Sequence, residues 1–132
     1  MEINVGDYVR TDNGIAKCID IDKNNGDYIF DKSIFYELDG QRTHILYKYY
    51  LQDEIDDGMK ISPNIIDLIE EFDYIKINDW GNMKFWRVVK APYGKLMFED
   101  DGWNELEDFV DEKISEIITH EQIESIAYKV GE

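Results

Sequence analysis

The amino-acid sequence predicts a mainly β protein of the α+β class, with two small antiparallel β modules and short helices near the C-terminus. Apolar and polar residues alternate over several short runs, which is the period of a half-buried strand, and turns containing glycine separate these runs. Residues 7–10 (Asp-Tyr-Val-Arg) return as residues 73–76 (Asp-Tyr-Ile-Lys), an internal repeat with a period of about 66 residues. We therefore expect modules over residues 1–66 and 67–132, packed together or merged into one compact unit, although two unrelated hairpins could also share such a string.

The N-terminal module begins with a predicted hairpin, because residues 5–11 and 15–21 alternate on either side of an Asp-Asn-Gly turn. A third strand is expected at residues 28–30. The aromatic-rich residues 34–51 predict one or two further strands, since tyrosine and β-branched residues favour a pleated, half-buried surface. The acidic residues 53–58 are expected to form a connection.

The C-terminal module is expected to contain strands at residues 72–77, 84–90, 95–98, 114–118 and 128–130. Residues 99–112 carry eight carboxylates and no basic side chain. Within them Leu106, Phe109 and Val110 have helical spacing, which predicts a short helix capped by Asn104. Thr119 and Gln122 have the spacing of a capping box and predict a further helical turn.

The strongest feature of the composition is its charge. The 132 residues include 30 acidic and 14 basic side chains, a formal net charge of −16. Duplex DNA carries one charge per ~1.7 Å, so this excess matches roughly 27 Å of duplex, comparable to a globule with a radius of gyration of about 14 Å. Such a surface repels phosphates within a Debye length, which argues against direct nucleic-acid binding. Acidity can also serve solubility alone.

The bulk composition also indicates a compartment. Hydrophobic residues make up 43% of the chain, enough for a folded core. No apolar run reaches the roughly 20 residues that span a bilayer, and the N-terminus has no apolar leader. The single cysteine, Cys18, excludes an internal disulfide and fits a reducing compartment. We therefore expect a soluble cytoplasmic protein without a membrane partner.

No catalytic, cofactor-binding or metal-binding constellation is recognisable in the sequence. Cys18 lies on an alternating strand and is expected to be a core residue rather than a nucleophile. His44 falls in a tyrosine-rich strand and His120 at a helix start, so the two do not form a metal site. Residues 20–26 approach a calcium loop, but the glycine stands seventh instead of sixth. We expect neither enzymatic activity nor a cofactor.

The three tryptophans have different surroundings. Trp86 lies among alternating apolar residues and is expected in the core. Trp80 and Trp103 lie beside Gly81 and Gly102 in polar turns, where an indole either anchors a partner or packs against its own loop. Both interpretations stay open.

Five strings carry a resemblance to a known group of proteins: residues 5–11 (Val-Gly-Asp-Tyr-Val-Arg-Thr), 14–17 (Gly-Ile-Ala-Lys), 62–70 (Ser-Pro-Asn-Ile-Ile-Asp-Leu-Ile-Glu), 117–122 (Ile-Ile-Thr-His-Glu-Gln) and 128–131 (Tyr-Lys-Val-Gly). The chain resembles small uncharacterised proteins of phages and prophages of low-GC Gram-positive bacteria. In those proteins Val-Gly-Asp-Tyr-Val follows the Asp-Leu-Ile-Glu string, so the resemblance implies a second copy here with Phe72 in place of the glycine. It also implies SH3-like small β-barrels and a bacterial host cell, but no activity and no functional residue.

These observations predict an acidic phage-type protein that inhibits a host defence nuclease, in the manner of an anti-CRISPR protein that mimics nucleic acid in a basic cleft. The partner would be a basic host protein; the oligomeric state is left open. The alternative is a phage accessory or structural module that binds another protein through a sheet edge, with incidental acidity. A solvated charged face would explain the acidic segments without any partner. The expected contact residues are ten acids and two tryptophans: Asp53, Glu54, Asp56, Asp57, Trp80, Glu99, Asp100, Asp101, Trp103, Glu105, Glu107 and Asp108.

Overall fold

The computed structural model describes residues 2–77, 85–99, 103–106 and 114–126. The chain divides into two compact units, Met1–Leu68 (unit 1) and Ile69–Glu132 (unit 2). Several small antiparallel sheets dominate the described residues, with one short helix near residue 50 and another near the C-terminus. The predicted mainly β class is thereby confirmed.

Unit 1 is built on a five-stranded antiparallel sheet. Its described elements are β1 (Tyr8–Thr11), β2 (Gly14–Ile21), β3 (Tyr28–Phe30), β4 (Phe35–Tyr36), β5 (Arg42–Thr43), β6 (Ile45–Leu46), α1 (Leu51–Asp56) and β7 (Lys60–Ser62), with 3-10 helices at Lys48–Tyr50 and Ile65–Leu68. The sheet order is β6-β3-β2-β1-β7, and β4 pairs with β5.

The predicted first hairpin is confirmed. Thr11 pairs with Gly14, so Asp12 and Asn13 form the turn. A bulge in the pairing of β2 with β3 falls between Cys18 and Asp20. Cys18 is fully buried and Ile19 exposed, as the alternation of a strand requires. Because the bulge inserts an extra residue, Asp20 is exposed as well.

The core of unit 1 lies on one face of this sheet and is closed by α1. Phe30 and Phe35 pack with ring centroids 5.0 Å apart, within the range of favourable aromatic pairs. Leu51 and Ile55 of α1 are four residues apart and pack against the core, because side chains at that spacing share one helix face. The buried members are Ile3, Val9, Ala16, Cys18, Tyr28, Phe30, Ile34, Phe35, Leu46 and Met59.

The predictions for residues 47–58 were wrong. Residues 48–50, expected in a strand, form a 3-10 helix, and the acidic connection contains α1. Asp53 and Glu54 lie in the first turn of α1, where negative charge is favoured by the helix dipole. Gly58 follows the helix with φ 104°, a left-handed backbone suited to glycine.

The described residues of unit 2 form two three-stranded antiparallel sheets. Its described elements are β8 (Tyr74–Ile77), β9 (Trp86–Arg87), β10 (Val89–Lys90), β11 (Leu96–Glu99), β12 (Trp103–Glu105), β13 (Ile114–Ile118) and α2 (His120–Ile126). The orders are β13-β8-β9 and β10-β11-β12. The strands expected at 72–77, 95–98 and 114–118 are confirmed within a few residues, whereas the one expected at 128–130 lies outside the described residues.

Two other predictions for unit 2 were wrong. Asn104 is not a helix cap but a strand residue paired with Phe98, because the backbone of β11 offers this segment a hydrogen-bonding partner. The remaining residues of the expected helix, 107–112, lie outside the described residues. The strand expected at 84–90 is interrupted at Val88, which is buried and donates its N–H to the Asp73 carbonyl at 2.8 Å.

The same turn precedes β1 and β8. In unit 1 the Gly6 N–H donates to the Cys18 carbonyl and the Cys18 N–H donates to the Asp7 carbonyl, both at 2.8 Å. Gly6 has a left-handed φ of 97°. The Asp7 side chain accepts the N–H of Asn4 at 2.8 Å, which closes the turn.

Unit 2 repeats each of these bonds. The Phe72 N–H donates to the Val88 carbonyl and the Val88 N–H donates to the Asp73 carbonyl. The Asp73 side chain accepts the N–H of Glu70 at 2.7 Å. Phe72 has φ 76° and is the one non-glycine residue with positive φ in the described part of the chain, so it keeps the conformation of Gly6.

Candidate protein-binding groove

A groove of about 1180 Å³ opens on the surface of unit 1. It lies beside the turn before β3, the β4–β5 hairpin, the end of β6 and the start of α1. We call it the acidic–aromatic groove because tyrosines and carboxylates dominate its lining. The lining residues are Asn24, Asn25, Asp27, Phe35, Tyr36, Glu37, Leu38, Asp39, Ile45, Leu46, Tyr47, Tyr49, Tyr50, Asp53 and Glu54.

Four tyrosines form the aromatic part of the groove. Tyr47, Tyr49 and Tyr50 lie at the 3-10 helix before α1, which turns too tightly for all of them to enter the core. Tyr49 is 93% exposed, and the rings of Tyr47 and Tyr50 meet edge to face at 6.3 Å. Large exposed rings are enriched where proteins bind partners.

Five carboxylates form the acidic part: Asp27, Glu37, Asp39, Asp53 and Glu54. Of the described residues that line the groove, none is lysine or arginine. Two of these acids also brace the walls. Asp27 accepts the N–H of Lys48 at 2.9 Å, and Asp39 accepts that of Gln41 at 3.0 Å. The charge is therefore held on a fixed backbone.

Nearby negative charge contributes to two raised pKa values in the groove, as the main cause at Tyr47 and as a secondary cause at Glu54. The carboxylate of Glu37, 3.5 Å from the Tyr47 hydroxyl, is the main cause of the raised pKa of Tyr47. Partial burial raises the pKa of Glu54, and the charges of Asp57 and Asp53 add to this effect. Each shift has the sign expected where negative charge is crowded.

Two basic side chains, Arg42 and Lys48, lie next to the groove and contact residues at its edge. The guanidinium of Arg42 lies 5.7 Å from the centroid of the Tyr36 ring, a cation–π contact. The stem of Lys48 runs against Gly26, where an added Cβ would come within 3.3 Å of it. Tyr36 thus shows that a tyrosine of this groove can contact an organic cation.

The predicted contact residues of the first acidic segment fall on α1. Asp53 and Glu54 line the groove, whereas Asp56 and Asp57 are exposed at the other end of the helix. Asp56 accepts a hydrogen bond from Gln52 Nε2 at 2.9 Å. Only the first half of this segment thus belongs to the groove.

The second segment belongs to unit 2 and is described in part. Trp103 is 61% exposed on β12, at the edge of its sheet, and Glu105 forms an ion pair with Lys95 at 3.4 Å. The backbone of Glu99 pairs with Trp103. Four of the predicted acids, Asp100, Asp101, Glu107 and Asp108, and also Trp80, lie outside the described residues.

Sequence reasoning missed most of the groove. Glu37 and the tyrosines are not among the predicted contact residues, because the aromatic-rich residues 34–51 predict half-buried strands. Asp27 is not among them either, since it directly precedes the predicted strand at residues 28–30. One signal could have found them. Three tyrosines, at 47, 49 and 50, stand directly before the acidic run 53–57, and rings on both strand faces do not fit one buried face.

The candidates for chemistry have ordinary surroundings in unit 1. Cys18 is fully buried and its thiol donates to the Asp20 carbonyl at 3.5 Å. Burial raises the pKa of this thiol, which makes it a poor nucleophile. The prediction that Cys18 is a core residue is confirmed. His44 is exposed.

Comparisons with protein-family models, curated proteins and solved structures found no match for this chain. Among the described residues, no helix is both long and apolar enough to cross a membrane.

Proposed function

We propose that this protein binds a basic segment of another protein in the acidic–aromatic groove of unit 1. The supporting observation is the lining itself, which combines five carboxylates with four tyrosines and, among its described residues, has no lysine or arginine. The occupant that complements it is an arginine-rich loop or peptide. Carboxylates accept the N–H groups of a guanidinium, and tyrosine rings stack on its plane.

The magnitudes favour this occupant. A cation over an aromatic face gains about 0.5–1 kcal/mol at an exposed site, and charge-assisted hydrogen bonds gain roughly 1.5–3 kcal/mol. An apolar occupant would bring no positive charge to the five carboxylates. The net charge of −16 adds long-range attraction that speeds encounter with a basic surface.

The finer proposal is that the partner is a nucleic-acid-processing enzyme of a bacterial host, and that binding inhibits it. Such enzymes hold phosphates with arginine and lysine, and an acidic groove competes for those side chains. In this proposal the protein is a cytoplasmic, phage-type inhibitor of a defence nuclease. Its acidity and the acids of α1 support the proposal, because they match the charge of a phosphate backbone.

We also propose that each unit is an SH3-like small barrel. Unit 1 supports this with its five-stranded antiparallel sheet and with the 3-10 helix and α1 that connect β6 to β7, the last strand of that sheet. The repeated turn before β1 and β8 supports a related module in unit 2.

A second candidate is an accessory or structural module that binds another protein through a sheet edge. The exposed Trp103 on the edge strand β12 favours it, since edge strands and indoles both serve partner binding. Salt separates the two candidates, because an electrostatic complex weakens steeply as salt rises while an apolar edge contact barely responds.

The groove is tested with a fluorescent oligo-arginine peptide, followed by fluorescence anisotropy. The variant Glu37→Gln, Asp53→Asn, Glu54→Gln removes three groove charges, and we expect binding about tenfold weaker or more, at roughly 0.5–1 kcal/mol per charge. The control Glu2→Gln, Asp12→Asn, Glu116→Gln removes three exposed acids elsewhere. Equal weakening in both variants would show that the peptide responds to net charge and not to the groove.

The aromatic part of the groove is tested with a matched pair of alanine variants. Tyr49→Ala removes an exposed groove ring and is expected to weaken peptide binding about fivefold, while Tyr93→Ala removes an exposed tyrosine of unit 2 and is expected to change nothing.

Inhibition is tested by titrating the protein into a DNA-cleavage assay of a host RNA-guided nuclease. Inhibition that the groove triple variant retains in full would contradict the proposal.

A further inference from the structure

Glu70, His120 and Glu121 in unit 2 form a cluster of metal-ligating side chains that the proposed groove does not involve. The Nε2 atom of His120 lies 3.1 Å from Glu70 Oε1 and 3.2 Å from Glu121 Oε1. The three ligand atoms all lie within 4.8 Å of one another. All three residues are partly buried, so the cluster is held by the fold yet open to solvent.

The fold brings together two residues that are fifty positions apart. β8 pairs with β13. Directly before β8, the fully buried Asp73 accepts two backbone N–H groups, from Glu70 at 2.7 Å and from His120 at 2.9 Å. One carboxylate therefore fixes the backbone of both ligands.

The helix start is fixed as well. The side chain of Thr119 accepts the N–H of Gln122 at 3.2 Å, and the side chain of Gln122 accepts the N–H of Thr119 at 3.0 Å. This confirms the predicted capping box. It holds His120 and Glu121 in the first turn of α2, where they lie next to Glu70.

We propose that Glu70, His120 and Glu121 bind a divalent transition-metal ion of the zinc class. One imidazole nitrogen and two carboxylate oxygens are a ligand set that zinc accepts, with a further position left for water. Two ligand atoms at zinc bond lengths and the tetrahedral angle lie about 3.3 Å apart. The observed separations of 3.1 and 3.2 Å come close to this value, and rotation of either glutamate adjusts the third.

The charges of the cluster favour a cation. The start of a helix carries about half a positive charge, but Glu70, Glu121 and Glu124 bring three negative charges to this end of α2. Glu124 lies 3.7 Å from Nδ1 of His120. It lies near the second ring nitrogen, the atom that a carboxylate often contacts in metal-bound histidines, but beyond hydrogen-bond distance.

The competing occupant is a proton, which would make His120 an imidazolium paired with the same carboxylates. Calorimetric titration of the intact chain with zinc chloride, in excess magnesium to cover weak carboxylate sites, separates the two. We expect one ion per chain, binding lost in His120→Ala and weakened at least tenfold in Glu70→Gln. The control is His44→Ala, which removes the other histidine and should bind as the wild type does.

Nuclear magnetic resonance of the histidine side chains makes the test independent of variant folding. In the unmodified protein, zinc should shift the Nε2 resonance of His120 and leave that of His44 in place. If zinc does not bind, or if the His120 resonances do not change, the cluster holds only a proton-bridged ion pair and the proposal is overturned. Equal zinc affinity of His44→Ala and His120→Ala would overturn it as well.

Discussion

Phe72 occupies a backbone conformation that suits glycine. Its φ of 76° lies in the left-handed region, which costs a residue with a Cβ about 1–2 kcal/mol. Two backbone hydrogen bonds hold it there: the Phe72 N–H donates to the Val88 carbonyl, and the Val88 N–H donates to the Asp73 carbonyl. The Arg87 guanidinium over its ring, 4.8 Å from the centroid, offsets part of the cost.

The strain at Phe72 is measured by comparing Phe72→Gly with Phe72→Ala. Both variants lose the ring contact with Arg87, so their difference isolates the backbone. We expect the glycine variant to be more stable by about 1 kcal/mol, measured by urea denaturation. Tyr93 does not have a positive φ, so at this position the glycine variant should be less stable than the alanine variant. A glycine variant of Phe72 no more stable than the alanine variant would contradict the strain.

At the scale of elements, strands with clean alternation were predictable. The hairpin of β1 and β2 followed from period-two patterns that one buried face requires. The capping box at Thr119 was predictable because its bonds are local. α1 was missed because its two core contacts, Leu51 and Ile55, were obscured by the acids between them.

The cap expected at Asn104 failed for a different reason. The spacing of the apolar residues after it is helical, but the pairing of Asn104 with Phe98 is a tertiary effect that overrides local preference. The interruption at Val88 has the same origin, since its N–H donates to Asp73, fifteen residues earlier. Neither partner can be identified from the local sequence.

Glu54 makes the stability of unit 1 depend on pH. Its raised pKa means that folded unit 1 binds this proton more tightly than the unfolded chain does, so deprotonation lowers the free energy of unfolding. We expect Glu54→Gln to melt at a higher temperature than the wild type at neutral pH. The advantage should shrink as the pH falls through the raised pKa towards its ordinary value of 4.5.

The measurement for Glu54 is the melting temperature across pH, with Glu2→Gln as the control. Glu2 is exposed, so this substitution changes net charge without removing a partly buried carboxylate. Identical pH profiles of the two variants would show that the effect comes from total charge alone.

At the scale of the whole molecule, the net charge of −16 was available from composition, but its placement was not. The groove needs the turn before β3, the β4–β5 hairpin and the start of α1 together. Glu37 and Asp53 are sixteen residues apart in the chain and line the same groove. The ligand cluster at His120 was missed likewise, because Glu70 reaches it only through the pairing of β8 with β13.

The net charge of the whole molecule and the charges of the groove should affect different rate constants of peptide binding. With the oligo-arginine peptide, we expect the control triple variant at Glu2, Asp12 and Glu116 to associate slightly more slowly and to dissociate at the wild-type rate, because distant charges act on encounter. The groove triple variant should mainly dissociate faster. Stopped-flow fluorescence at several salt concentrations measures both rates, and faster dissociation in the control would contradict this division.

The burial of Cys18 turns it into a built-in reporter. Since it is the one thiol of the chain and is sealed within unit 1, alkylating reagents can reach it only when the sheet around it opens. A ligand in the groove stabilises the closed form by mass action and so slows labelling. Occupancy of the groove can therefore be followed by mass spectrometry of the unmodified protein, with no dye attached to either molecule.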